Sequence, residues 1–114
     1  MSRQKDKGTK FETAVVRYLR GRALEAERVA MHGSVDHGDV RAESRGVEFT
    51  VECKDRKRYD IPRAVDEAVA ESENDGTSFG IAVTHRDGCG EANFGRNLVH
   101  MELDSFCDIM GWLR

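Results

Sequence analysis

Apolar and polar residues alternate along this chain in two rhythms, and the switches between them mark out the elements. From Val47 to Lys54, the apolar residues Val47, Phe49, Val51 and Cys53 alternate with Glu48, Thr50, Glu52 and Lys54. Period two predicts a strand with one face in a core and the other polar. Phe11, Val15, Val16 and Leu19 recur instead at helical spacing and predict a helix from about Lys10 to Arg22. Thr9 and Glu12 have the spacing of a capping box, with Thr9 as N-cap and Glu12 three residues on. A short strand is expected over Glu27–Met31, followed by a glycine-punctuated polar loop, His32 to Asp39. Asp39-Val40-Arg41-Ala42 opens a second strand, and Glu43-Ser44-Arg45-Gly46 has turn composition. Asp60 is placed to cap a second helix, with Pro62 near its first turn and Ala64, Val65, Ala68 and Val69 as a small apolar face. That helix ends near Asn74-Asp75-Gly76. Ser78–Thr84 and Leu98–Leu103 read as strands, and Asp104 as the cap of a last helix in which Phe106, Ile109, Met110 and Leu113 share a face. The order α-β-β-β-α-β-β-α predicts an α/β fold, a mixed central sheet flanked by helices.

With 114 residues the chain suits one domain, 1–114, with residues 1–8 expected as a flexible basic arm. Five Phe and one Trp make a modest core, so further apolar area is expected to be buried by self-association. No apolar run is long enough for a membrane span, and the charged start lacks a signal-type apolar segment. Three widely spaced cysteines, Cys53, Cys89 and Cys107, fit a reduced, intracellular protein better than a disulfide framework. The net charge of −3 is unevenly spread. Residues 1–63 carry fifteen Lys and Arg against eleven Asp and Glu, whereas residues 64–114 carry three against ten. Such polarity suggests a phosphate-facing side, though solvated surface charge explains it equally well.

Glu52 and Lys54, two apart, project from the same face of the predicted strand. They read either as a surface ion pair, worth about 0–1 kcal/mol, or as part of an active site. In the second case Glu52 holds a metal and Lys54 steadies a reacting oxygen. If Asp39 and Glu52 belong to one hairpin turning near Ser44–Gly46, they fall opposite or diagonal to each other. Two carboxylates that close repel unless a positive charge lies between them, and a divalent cation with oxygen ligands is the economical answer. A one-residue slip in register would remove the argument. His32 and His37 match no common zinc spacing, and no nucleophile-elbow pattern supports a Ser/His/Asp triad.

Asp39 followed, beyond a hairpin, by Val51-Glu52-Cys53-Lys54 resembles the PD-(D/E)XK nuclease superfamily, and within it the archaeal-type and phage Holliday junction resolvases. Lys7-Gly8-Thr9-Lys10-Phe11-Glu12 resembles that family's opening helix, and Arg28 with Gly33-Ser34 its strand-and-loop segment. The resemblance implies a restriction-endonuclease-like fold and a metal-dependent endodeoxyribonuclease that makes paired nicks in a four-way DNA junction. It implies Mg²⁺, with Mn²⁺ as an alternative, held by Asp39, Glu52 and the Cys53 carbonyl, with Glu12 completing the acidic cluster, through a bound water if not directly. Glu12, Ser34, Asp39, Glu52 and Lys54 are the catalytic residues implied. Lys5, Lys7, Lys10, Arg28, Arg56, Lys57 and Arg58 are the expected DNA contacts. A homodimer acting on branched DNA in a prokaryotic, archaeal or phage-infected cytoplasm follows from the same likeness. Two other readings stay open: a nuclease of this fold acting on duplex, flap or single-stranded DNA, and a non-catalytic nucleic-acid-binding module.

Overall fold

A computed structural model describes residues 3–29 and 39–113, with side chains from residue 8 onward. Its elements are α1 (Arg3–Gly21), β1 (Glu25–Arg28), β2 (Val40–Ser44), β3 (Val47–Lys54), α2 (Ile61–Asp75), β4 (Phe79–Thr84), a 3₁₀ segment (Glu91–Arg96), β5 (Leu98–His100) and α3 (Leu103–Trp112). The strands form one sheet in the order β1-β2-β3-β4-β5. β3 and β4 run parallel with α2 as the crossover, and every other neighbour is antiparallel, so the sheet is mixed as expected.

The alternation in β3 does what period two requires. Val51 and Cys53 face α1, where Phe11, Val15 and Val16 pack with Ala26, Val40, Ala42 and Val83. Thr50, Glu52 and Lys54 face α2, whose Ala64 and Val65 pack on Ala82. The β2–β3 turn is tight because Arg45 and Gly46 both adopt positive φ, at 53° and 79°, matching the twist of the strands it joins. That turn fixes the register at Val40↔Val51.

Several boundaries differ from expectation. α1 begins at Arg3, so residues 3–8 are helical rather than a free arm, and Thr9 lies inside the helix. Helix-forming residues such as Gln4 and Lys5 carry the helix past the capping signal. There is therefore no capping box at Thr9: that residue's carbonyl accepts from Thr13 Oγ1, and Glu12 has no capping role. Asp60 caps α2 as predicted, its Oδ1 accepting from the Arg63 amide, and Gly76 ends the helix at φ 72°. At α3 the N-cap is Glu102, with Asp104 inside the first turn. β5 is shorter than its alternating stretch, and the 3₁₀ segment is an element the pattern did not announce. Among the described residues no helix is long and apolar enough to cross a membrane, and Cys53, Cys89 and Cys107 are free thiols.

Candidate active site

Carrying the β2–β3 register one residue beyond Val40↔Val51 sets Asp39 directly opposite Glu52. At Asp39 the chain leaves the strand, and its side chain takes over the ladder. Asp39 Oδ2 accepts from the Cys53 amide at 2.8 Å, while its own amide donates to Val51 O and its carbonyl accepts from Val29 N. The turn and the ladder thus hold this carboxylate beside Glu52 without help from distant packing.

Glu52 is 7% exposed. Burial, then the neighbouring carboxylates of Asp39 and Glu71, push its carboxyl up to about 11. At neutral pH Glu52 therefore carries a proton, which its single O–H can donate to only one of the two acids at a time. Glu12 reaches the same cluster from α1. Burial and Asp39 raise it to about 7, against the pull of Arg28, whose Nη2 lies 3.1 Å from Glu12 Oε2. Lys54 Nζ stands 3.9 Å from Glu52 Oε1 and 2.9 Å from Glu67 Oε2. Beyond it the loop is tied down by Tyr59, whose hydroxyl accepts from the Arg56 amide and donates to the carbonyls of Lys54 or His85. Arg56, Lys57 and Arg58 are exposed beside this end of the sheet.

Four of the five expected catalytic residues therefore meet at one place, Glu12, Asp39, Glu52 and Lys54, with Arg28 paired to Glu12. Lys10 is exposed on α1 and lines a separate cleft of about 820 Å³ on the α1 side of the sheet, together with Phe11, Arg17, Tyr18, His85 and Phe94. Ser34, Asp36, His32 and His37, and the side chains of Lys5 and Lys7, lie outside the described residues. His85 bonds Asp55 Oδ1 and Cys89 O, and His100 bonds Thr84 Oγ1.

The sequence did not announce Glu67 and Glu71. Both come from the acidic half, residues 64–114. The available signal was a carboxylate on a buried stripe, since Glu71 follows Ala64 and Ala68 along the packed face of α2.

The cluster suits a divalent cation on two observations. Glu52 holds a proton between acids where a positive ion could stand, and Glu71 Oε2 is a buried oxygen with no hydrogen-bond partner. Among the described residues no three Asp, Glu, His or Cys side chains form a ready-made metal cage. Acids bonded through a proton turn toward one another and not toward a shared centre.

Residues 3–72 match the family described as archaeal Holliday junction resolvase (Hjc). The chain belongs to this family. Members are metal-dependent junction-resolving nucleases. A solved structure of Hjc from Archaeoglobus fulgidus, a Holliday junction resolvase of an archaeal hyperthermophile, superposes with a TM-score of 0.56 at 23% identity, covering 73% of this chain and 72% of that one. It shares the restriction-endonuclease-like fold: a mixed sheet between helices. No curated protein sequence matches the chain.

Proposed function

We propose that this resolvase-family chain hydrolyses phosphodiesters in four-way DNA junctions, using Mg²⁺ bound at Asp39 and Glu52. The observation that carries the reading is the register that sets these two acids opposite each other with Lys54 on the same face. Asp39, Glu52, the Cys53 carbonyl and Glu12 are the oxygen donors that would hold the ion, a set suited to a hard cation. When bound, Mg²⁺ would lower the pKa of the attacking water and polarise the phosphoryl oxygen.

The chain's own groups do the rest. With a cation present, Glu52 would serve as the ionised carboxylate, its proton passing to solvent. Asp39 stays fixed by the Cys53 amide. Lys54 offers its ammonium to the developing phosphorane charge or orients the attacking water. Ser34 is proposed to contact the scissile phosphate. Arg28, Arg56, Lys57 and Arg58, with Lys5, Lys7 and Lys10 on α1, attract the polyanion.

Resolution requires two nicks, and a homodimer places two such sites across a two-fold junction. The surface proposed for it is the apolar patch at β5 and α3, where Leu98, Val99, Leu103, Phe106, Trp112 and Leu113 are exposed. Phe106→Asp is expected to shift the protein to monomers in light scattering; an unchanged mass would remove this surface from the dimer.

The test compares an immobile four-way junction with linear duplex, in Mg²⁺ or EDTA, using wild type and Glu52→Gln. Paired nicks are expected in the junction alone, only with Mg²⁺ and only in wild type. Equal cutting of duplex would refute junction selectivity, and cutting by Glu52→Gln would refute the site.

A further inference from the structure

α2 lies unusually close to the sheet. Ala64 is buried against Ala82, Ala68 is buried over Gly80 of β4, and a Cβ on Gly80 would collide with the Ala68 carbonyl oxygen. Only glycine permits that approach. As a result Glu67 and Glu71, one turn apart on α2, reach over to β3. Glu67 Oε2 meets Lys54 Nζ at 2.9 Å, closer than Glu52 at 3.9 Å. Glu71 stands beside Glu52, and its Oε2 is wholly buried without a partner. A buried acceptor left open is costly and calls for an occupant. Lysine, on a four-carbon stem with free rotamers, needs a partner to stay in one place.

We propose that α2 is a working wall of the site: Glu71 is a further oxygen ligand for the cation, and Glu67 is a positioning residue that holds Lys54 in register with Glu52. The proposal rests on the reading of Asp39, Glu52 and Lys54 as the nuclease centre. Arg63 lies 3.4 Å from Glu67 Oε1 on the outer side of the helix, so Glu67 is braced between two cations and cannot easily swing away. The competing view is structural: Glu67 would merely form a surface pair with Arg63, and Glu71 would merely be packed.

The experiment uses the full chain and two readouts: Mn²⁺ affinity by electron paramagnetic resonance of the free ion, and steady-state cleavage of a four-way junction. Exposed Glu73 on the same helix serves as control through Glu73→Gln. Glu71→Gln is expected to weaken Mn²⁺ binding about tenfold or more. Glu67→Gln is expected to leave Mn²⁺ affinity and KM unchanged and to lower kcat by about tenfold or more, with partial recovery in Glu67→Asp. Wild-type Mn²⁺ affinity in Glu71→Gln overturns the ligand assignment. Wild-type or faster turnover in Glu67→Gln overturns the positioning role, since Glu67 would then be withholding Lys54. Glu52→Gln separates the two levels. If it too leaves Mn²⁺ affinity and cleavage intact, the nuclease reading of this site fails; if it abolishes both while the α2 variants match Glu73→Gln, only the present inference fails.

Discussion

The two faces of one sheet are built to different standards. On the α1 face, Phe11, Val15 and Val16 meet Val40, Val51 and Val83, bulky apolar groups buried almost completely. On the α2 face the packing is thin, with Ala64 and Val65 on Ala82 and Ala68 over Gly80, and polar Thr50, Glu52, Ser72 and Thr84 are buried with them. Thr50 is satisfied there by Asp75 and Thr77. Glu52 is satisfied only by carrying a proton. The stability of the fold thus rests on α1, while the close, small-residue packing of α2 leaves room for ionisable groups in a water-poor place. That is where desolvation gives a carboxylate and an ammonium their chemical leverage.

The sharpest way to break this contrast is to cut the α1 face. Phe11→Ala should cost about 3–5 kcal/mol in urea unfolding, because the ring is nearly fully buried and its neighbours cannot all collapse. A loss under about 1 kcal/mol would mean that this face is not the main store of stability.

On the α2 face the same kind of truncation should strike activity instead. Lys54→Ala should lower single-turnover cleavage by about 10²–10³, with DNA affinity little changed. Normal turnover would rule out a catalytic lysine.

A further difference concerns pH. Glu52 and Glu12 have folded-state values above the ordinary 4.5, about 11 and about 7. Their protons favour the folded chain, fully below about pH 4.5. That contribution is lost as pH rises, through about 7 for Glu12 and through about 11 for Glu52. Without metal, then, stability should fall from about pH 4.5, more steeply up to about 7 where both acids contribute and on towards about 11 through Glu52 alone, with a slope of at most ~1.4 kcal/mol per unit for each proton. Glu52→Gln should flatten that slope, and an equal slope in wild type and variant would contradict the assignment.

The smallest effect lies at the rim. Arg56→Ala or Lys57→Ala should each reduce the slope of log K against log salt by about 0.9 for junction binding, without changing the metal-free stability profile. An unchanged slope would remove these residues from the phosphate contacts.

Much of this was legible in sequence where local rules and local distances coincide. The alternation from Val47 to Lys54, together with a two-residue turn at Arg45-Gly46, settles which acid opposes which. Twelve residues lie between Asp39 and Glu52, and all the intervening geometry is strand or turn. Glu12 was harder to read. Thr9 and Glu12 have the spacing of a cap, but the helix formers ahead of them extend α1 to Arg3, and Glu12 is left to the acidic cluster. Glu71 was not legible, because its approach to Glu52 depends on how near α2 comes to β4. That distance is set by Gly80 beneath Ala68, a contact no periodicity records. The apolar residues of α3 were visible as a shared face, yet the fold leaves Phe106, Met110 and Leu113 exposed, which no periodicity records.

The central claim is that Asp39 and Glu52 exchange a proton for a divalent cation. Calorimetric titration of the free protein with Mn²⁺ near pH 7, in buffers of different ionisation enthalpy, measures that exchange directly. At least about one proton released per ion bound is the expected result for wild type, and about one fewer for Glu52→Gln, where only Glu12 remains to give one up. Tight binding with no proton release, unchanged by Glu52→Gln, would place the ion elsewhere and contradict the account.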